Sequence, residues 1–174
     1  LLLEAARGDF LVEKAELAHF HKGRPLKVDG SFVTRRADTG RAFGVVSDRY
    51  NVIQNRDLYG IAEGVTARLD NAGIITCGVL HGGATFFVQV DLGVRFEPLP
   101  GDEHQQHLLL TSGHDGKRGW TTMTTDTQVV CANTLASALS GVGLKAFVKH
   151  DAKAEDIQKQ LKETADLLQA VVRQ

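Results

Sequence analysis

The sequence is poor in the residues that build small scaffolds. Among its 174 residues are two cysteines, three prolines, one methionine and one tryptophan. Two cysteines are too few for a disulfide framework or a Cys-rich zinc site. Cys77 and Cys131 both lie in apolar surroundings and are expected to be reduced core residues. No apolar run approaches the roughly 18 residues of a membrane span, so no membrane partner is expected. Leu1-Leu2-Leu3 is too short for a signal-peptide core and is soon followed by Glu4 and Arg7. With no targeting signal, the cytoplasm is the expected compartment. The chain opens on Leu rather than Met, so its N-terminus reads as truncated. Charge of one sign is also missing: 20 Lys+Arg against 21 Asp+Glu give a net −1. That excludes a uniformly basic nucleic-acid coat protein but not a local basic face.

Three catalytic signatures are absent as well. There is no G-x-x-x-x-G-K-[ST] phosphate loop, no G-x-S-x-G and no H-E-x-x-H. The glycine pairs and triplets, Gly82-Gly83 and Gly113/Gly116/Gly119, read as hairpin turns because none clearly opens a helix with a phosphate-binding pattern.

What is present is an ordinary globular composition, 43% hydrophobic and 24% charged, which excludes global disorder. Its length suits a single domain, residues 1–174. The opening reads as a short helix, a break at Gly8-Asp9 and an extended piece ending near Leu17, followed by a polar turn over 19–25. Phe32 to Arg36 and Arg41 to Val46 flank Ala37-Asp38-Thr39-Gly40, a strong hairpin signal. Leu58, Ile61, Ala62, Val65 and Leu69 recur at helical spacing, with Asn55 as N-cap, Asp57 in the first turn and Gly73 as stop. Residues 74–80 and 85–92 read as strands around His81-Gly82-Gly83-Ala84. An acidic loop over 96–106 leads to a strand at 107–111. A turn-rich tip at 112–119 and a partner strand at 120–125 follow. A short helix ending at Gly141, a strand at 144–148 and an amphipathic helix over 151–172 complete the chain. The expected fold is α+β: mostly antiparallel hairpins, helices packed on one side and a C-terminal amphipathic helix.

Histidine supplies the first chemical candidates. His104, His107 and His114 lie near one another in sequence, but their spacing matches no short zinc motif, and neither metal nor cofactor is expected. His114-Asp115 resembles an acid–base pair, yet neighbours along a strand point to opposite faces. Asp115-Gly116 also has the composition of a turn. No catalytic residue is assigned on this basis.

The more informative pattern is basic and aromatic residues together at loop tips. Arg35, Arg36 and Arg41 lie on one hairpin, with Arg49 and Tyr50 after it. Lys117, Arg118 and Trp120 lie on another, and Lys149 precedes the last helix. Positive side chains beside π-faces suit a nucleic-acid backbone and unstacked bases. The competing reading is that hairpin tips are simply polar and that Trp120 and Tyr50 belong to the core. Trp120 is expected to be at least partly buried.

Several segments carry a resemblance. Residues 44–55, Gly-Val-Val-Ser-Asp-Arg-Tyr-Asn-Val-Ile-Gln-Asn, resemble the signature of a phage and plasmid-like family known as domain of unknown function 932. Leu108 to Gly116, Val129 to Leu135, and Lys149-His150 resemble further segments of that family, in family order. Gly113 replaces the usual Asn, and Gln128 stands where Arg is common, which counts against a phosphate role at that position. The resemblance implies a mobile-element context and brings no established reaction. Its polar residues Asp48, Gln54, Asn55, His114, Asp115 and Asn133 have two readings: a shared cluster locking strands to helices, or a ligand surface.

The expected function is a non-enzymatic protein of DNA metabolism. It would bind or anneal single-stranded DNA through Arg35, Arg36, Arg41, Arg49, Tyr50, Lys117, Arg118, Trp120 and Lys149, as a possible homo-oligomer. The alternatives are a metal-dependent hydrolase or nuclease using His114 and Asp115, and a protein–protein assembly module.

Overall fold

A computed structural model describes residues 2–141 and 145–150. The expected terminal helix over 151–172 lies outside the described residues. The order of elements is α1 (Leu2–Ala5), β1 (Val12–His21), β2 (Arg24–Arg36), β3 (Ala42–Ser47), α2 (Asn55–Thr66), β4 (Gly73–Leu80), β5 (Thr85–Phe96), β6 (His104–Gly113), β7 (Trp120–Thr125), α3 (Ala132–Ser140) and β8 (Lys145–Val148). The strands form two sheets, ordered β1-β2-β3 and β4-β5-β6-β7-β8. Every strand pair is antiparallel.

This corrects the α+β expectation. The described residues are mostly antiparallel β structure in two sheets, with few helices among them. The helices are not gathered on one side either. Alternation along β5 and β6 sends Phe86, Val88, Val90, Leu108 and Leu110 to one face and Phe87 and Leu109 to the other. Both faces are therefore apolar and both need cover. Leu58, Tyr59 and Ala62 of α2 pack with the first set. Leu135 and Ala138 of α3 pack with the second. Buried Gln89 ties down the approach to α3. Its amide donates to the Thr127 carbonyl at 2.7 Å and its oxygen accepts from the Val129 amide at 2.8 Å.

Both expected hairpins form. Residues 37–41 join β2 to β3, and residues 114–119 join β6 to β7. Gly40 (φ 69°) and Gly116 (φ 75°) supply the left-handed positions. Several boundaries move. The polar turn expected over 19–25 shrinks to Lys22-Gly23, both at positive φ (48° and 77°), the two-residue geometry that matches strand twist. Phe20 and Pro25 are thereby paired strand residues. The α2 cap is Gln54, one residue before the expected Asn55, with its backbone amide donating to Asp57 at 3.0 Å. α2 ends at Thr66 rather than near Gly73, which opens β4 instead. The acidic loop is also shorter than expected, because β5 reaches Phe96 and β6 begins at His104.

Trp120 is 3% exposed and belongs to the core on the α2 side of the large sheet. The cysteine expectation fails in part: Cys77 is half-buried, and Cys131 is exposed just ahead of α3. Among the described residues no helix is long and apolar enough to cross a membrane.

Candidate functional site

The motif-like polar residues meet where the small sheet abuts the end of β6. Asn55, 2% exposed at the start of α2, donates its amide to the Gly8 carbonyl at 2.9 Å. That fixes its side-chain oxygen, which accepts from His114 Nε2 at 2.8 Å. His114 is fully buried, and its ring packs against Phe43 at 5.8 Å between centroids. Thr34 Oγ1 of β2 donates to the His114 carbonyl. Tyr50 OH donates to the Gly113 carbonyl at 2.9 Å, and burial pushes its phenol well above the usual range. Tyr50 also stacks on His150, with ring centroids 4.5 Å apart. His150 Nδ1 donates to the Asn51 carbonyl at 2.9 Å, and its Nε2 lies 3.2 Å from Ser112 Oγ. Gln54 grips β1 at Val12, accepting from its amide at 2.9 Å and donating to its carbonyl at 2.8 Å.

Two of the expected cluster members stand elsewhere. Asp48 is exposed and accepts from the Arg49 amide. Asn133 is exposed on α3. Asp115 shapes the hairpin tip: its carboxylate accepts from the Lys117 amide at 3.0 Å. Burial lowers the pKa of His114 to about 4, helped by nearby His150. Burial also lowers His150, although its bond to the Asn51 backbone opposes this. His104 is far from such surroundings. It lies 3.2 Å from both Asp102 and Asp126, and the Asp102 bond, with Asp126 behind it, raises its pKa. No three histidine, cysteine or acidic side chains among the described residues come together as metal ligands.

Beside this lock lies a cleft of about 390 Å³ between β3, the 114–119 tip and β8. Lys117, Arg118 and Lys149 line it, together with Phe147, Ser47 and Tyr50. The three cations are exposed, and none has an acidic partner within ion-pair distance among the described residues. Backbone proximity builds the cleft. A Cβ on Gly44 would sit 2.8 Å from the Asp115 carbonyl carbon, and a Cβ on Gly119 would meet the Phe147 ring at 2.8 Å.

The nine expected nucleic-acid residues therefore separate. Lys117, Arg118 and Lys149 converge on the cleft, and Tyr50 forms part of its wall. Arg35 and Arg36 do not join them as free charges. Arg35 pairs with Glu13 at 2.6 Å, and Arg36 forks onto Asp38 at 2.7 and 2.9 Å while stacking on Phe10. Arg41 packs its guanidinium over Gly82. Arg49 is exposed on the turn after β3 but does not line the cleft. Trp120 and Tyr50 are too buried to stack on a base. Phe147, half exposed in the cleft, was missed. Alternation in β8 held the signal, since buried Val148 places its neighbour on the opposite face.

The family model described as domain of unknown function (DUF932) matches residues 42–174. No curated protein and no solved structure matches the chain.

Proposed function

The chain belongs to the domain of unknown function 932 family, and on that footing we propose that it is a non-enzymatic protein that binds single-stranded DNA at the Lys117–Arg118–Lys149 cleft. The supporting observation is the convergence of three cations from two separate segments, without an acidic partner among the described residues, around the exposed face of Phe147. Cations on a strand-tracking groove neutralise phosphates, and an exposed ring stacks on bases without regard to sequence. The enzyme alternative has weaker support. His114 has no exposed surface, its Nε2 is engaged by Asn55, and one oxygen of the Asp115 carboxylate accepts from the Lys117 backbone amide.

Anisotropy of a labelled oligothymidine tests the reading. The native chain should bind with a linear log–log salt dependence. Lys117→Glu with Lys149→Glu should abolish two phosphate contacts, lowering the slope by about 1.4 for a single strand. Unchanged affinity in a folded double variant would reject the cleft.

A further inference from the structure

The small sheet extends beyond the body as an arm. β2 pairs with β3 only as far as Ser31 opposite Ser47, whereas β1 and β2 stay paired out to His21 opposite Arg24. The β1–β2 pairing is interrupted between Glu16 and Ala18, and Gly30 on the other strand has a φ of 68°. The ribbon therefore changes course as it leaves the core. Beyond the break, every residue from 18 to 27 is exposed. Four paired residues a side at about 3.3 Å each make an arm of about 13 Å.

Its chemistry is one-sided. Residues 18–28 contain Lys22, Arg24 and Lys27 and no acidic residue. Lys27 reaches back to Glu16, while Lys22 and Arg24 have no acidic partner among the described residues. Phe20, 75% exposed, is the most exposed large hydrophobic side chain described. It stands opposite Pro25 on one face, and Leu26, opposite His19, is on the other. The apolar side chains are thus split between faces and make no continuous patch of the size that protein or membrane contacts use. A single exposed ring flanked by two cations without an acidic partner among the described residues fits a strand of nucleic acid. The arm also starts beside the cleft, because Ser47, the partner of Ser31, is a cleft-lining residue.

We infer that this arm is a second contact for the strand held in the cleft, with Phe20 stacking on an unstacked base and Lys22 and Arg24 neutralising phosphates. The inference rests on the cleft reading and adds a site that the cleft does not contain.

The test uses the full chain and a fluorescein-labelled oligothymidine of about 30 nucleotides, long enough to reach beyond one site. Phe20→Ser should weaken binding roughly fivefold or more with the salt slope unchanged, as expected for a lost stack. Lys22→Asn with Arg24→Gln should lower the slope by about 1.4. Asn suits the left-handed backbone at position 22, and circular dichroism checks that both variants fold. Loss of affinity in the cleft variant with none in the arm variants would overturn the arm while leaving the cleft standing. Absence of binding by the native chain would overturn both. Arm variants that change the sedimenting mass but not the DNA affinity would show a self-association hook and overturn the inference.

Discussion

Asn55 and His114, 59 positions apart in the chain, settle each other's protonation and orientation across a 2.8 Å bond. The Asn55 amide is committed to the Gly8 carbonyl, so its oxygen faces the ring and Nε2 must carry the proton. That leaves Nδ1 as an acceptor, buried and without a hydrogen-bond partner among the described residues. A second proton there would be an orphaned donor in an apolar pocket. This is the local reason why the ring resists charging.

Asn55→Ala should therefore cost about 2–3 kcal/mol, since it strands both the Gly8 carbonyl and the His114 donor. Urea unfolding checks this. A midpoint unchanged from the native chain would mean that water replaces the amide.

Stability should also fall on mild acidification. The His114 pKa is lowered to about 4 in the folded chain, against about 6.5 for an unperturbed histidine. Between these values the unfolded chain binds more protons, so folding stability decreases as pH drops through this window. The loss from this one group is of order 3 kcal/mol once pH is below 4. His150 and His107, also lowered by burial, act in the same direction. Thermal melts from pH 7.5 to 4.5 should show it, and His114→Gln should flatten the profile. An equally steep profile in that variant would assign the effect elsewhere.

Gly44→Ala should be destabilising by about 2–3 kcal/mol. The new methyl would lie 2.8–2.9 Å from Asp115 backbone atoms, and two packed backbones have no side chain to move aside. A melting temperature within a degree or so of the native chain would show that the sheets separate more readily than their packing implies.

Arg36→Ala should leave oligothymidine affinity unchanged while costing about 1 kcal/mol through its lost stacking on Phe10. The guanidinium is already occupied by Asp38 and by that ring, 4.0 Å away. Paired anisotropy and denaturation measurements separate the two effects. A fall in affinity matching that of the cleft variant would extend the binding surface onto this hairpin.

Much of the local structure was legible because its causes are local. Glycine at positions 40 and 116 marks the turns, and the recurrence of Leu58, Ala62 and Val65 marks α2. The architecture was less legible. The alternation of Phe86 and Phe87 is visible in the sequence, but that both faces carry helices follows only once α3 is placed. The candidate site was half visible. Lys117, Arg118 and Lys149 were readable as basic positions, but the pairing of Arg35 depends on Glu13, brought alongside by strand register. Trp120 and Tyr50 offered π-faces in the sequence and lost them to burial in the fold. The Cys131 expectation failed because the apolar residues around it are not all inward: Val130 is 69% exposed.

The partners of the lock have one property in common: most of them are main-chain atoms. Gln54 holds the peptide groups of Val12, Asn55 the carbonyl of Gly8, Tyr50 that of Gly113 and His150 that of Asn51. A peptide group is the same whatever side chain it carries. Information needed to close the lock is thus written in the residues that reach, and hardly at all in those that are reached. Positions 8 and 12, which lie ahead of the family-matched segment, are held instead by packing: a Cβ on Gly8 would meet the Leu3 and Phe86 side chains at 2.9–3.0 Å, and Val12 is buried. Homologous copies of this fold should accordingly show constraints on size at positions 8 and 12, and constraints on identity at the residues that reach, Thr34 of β2 among them.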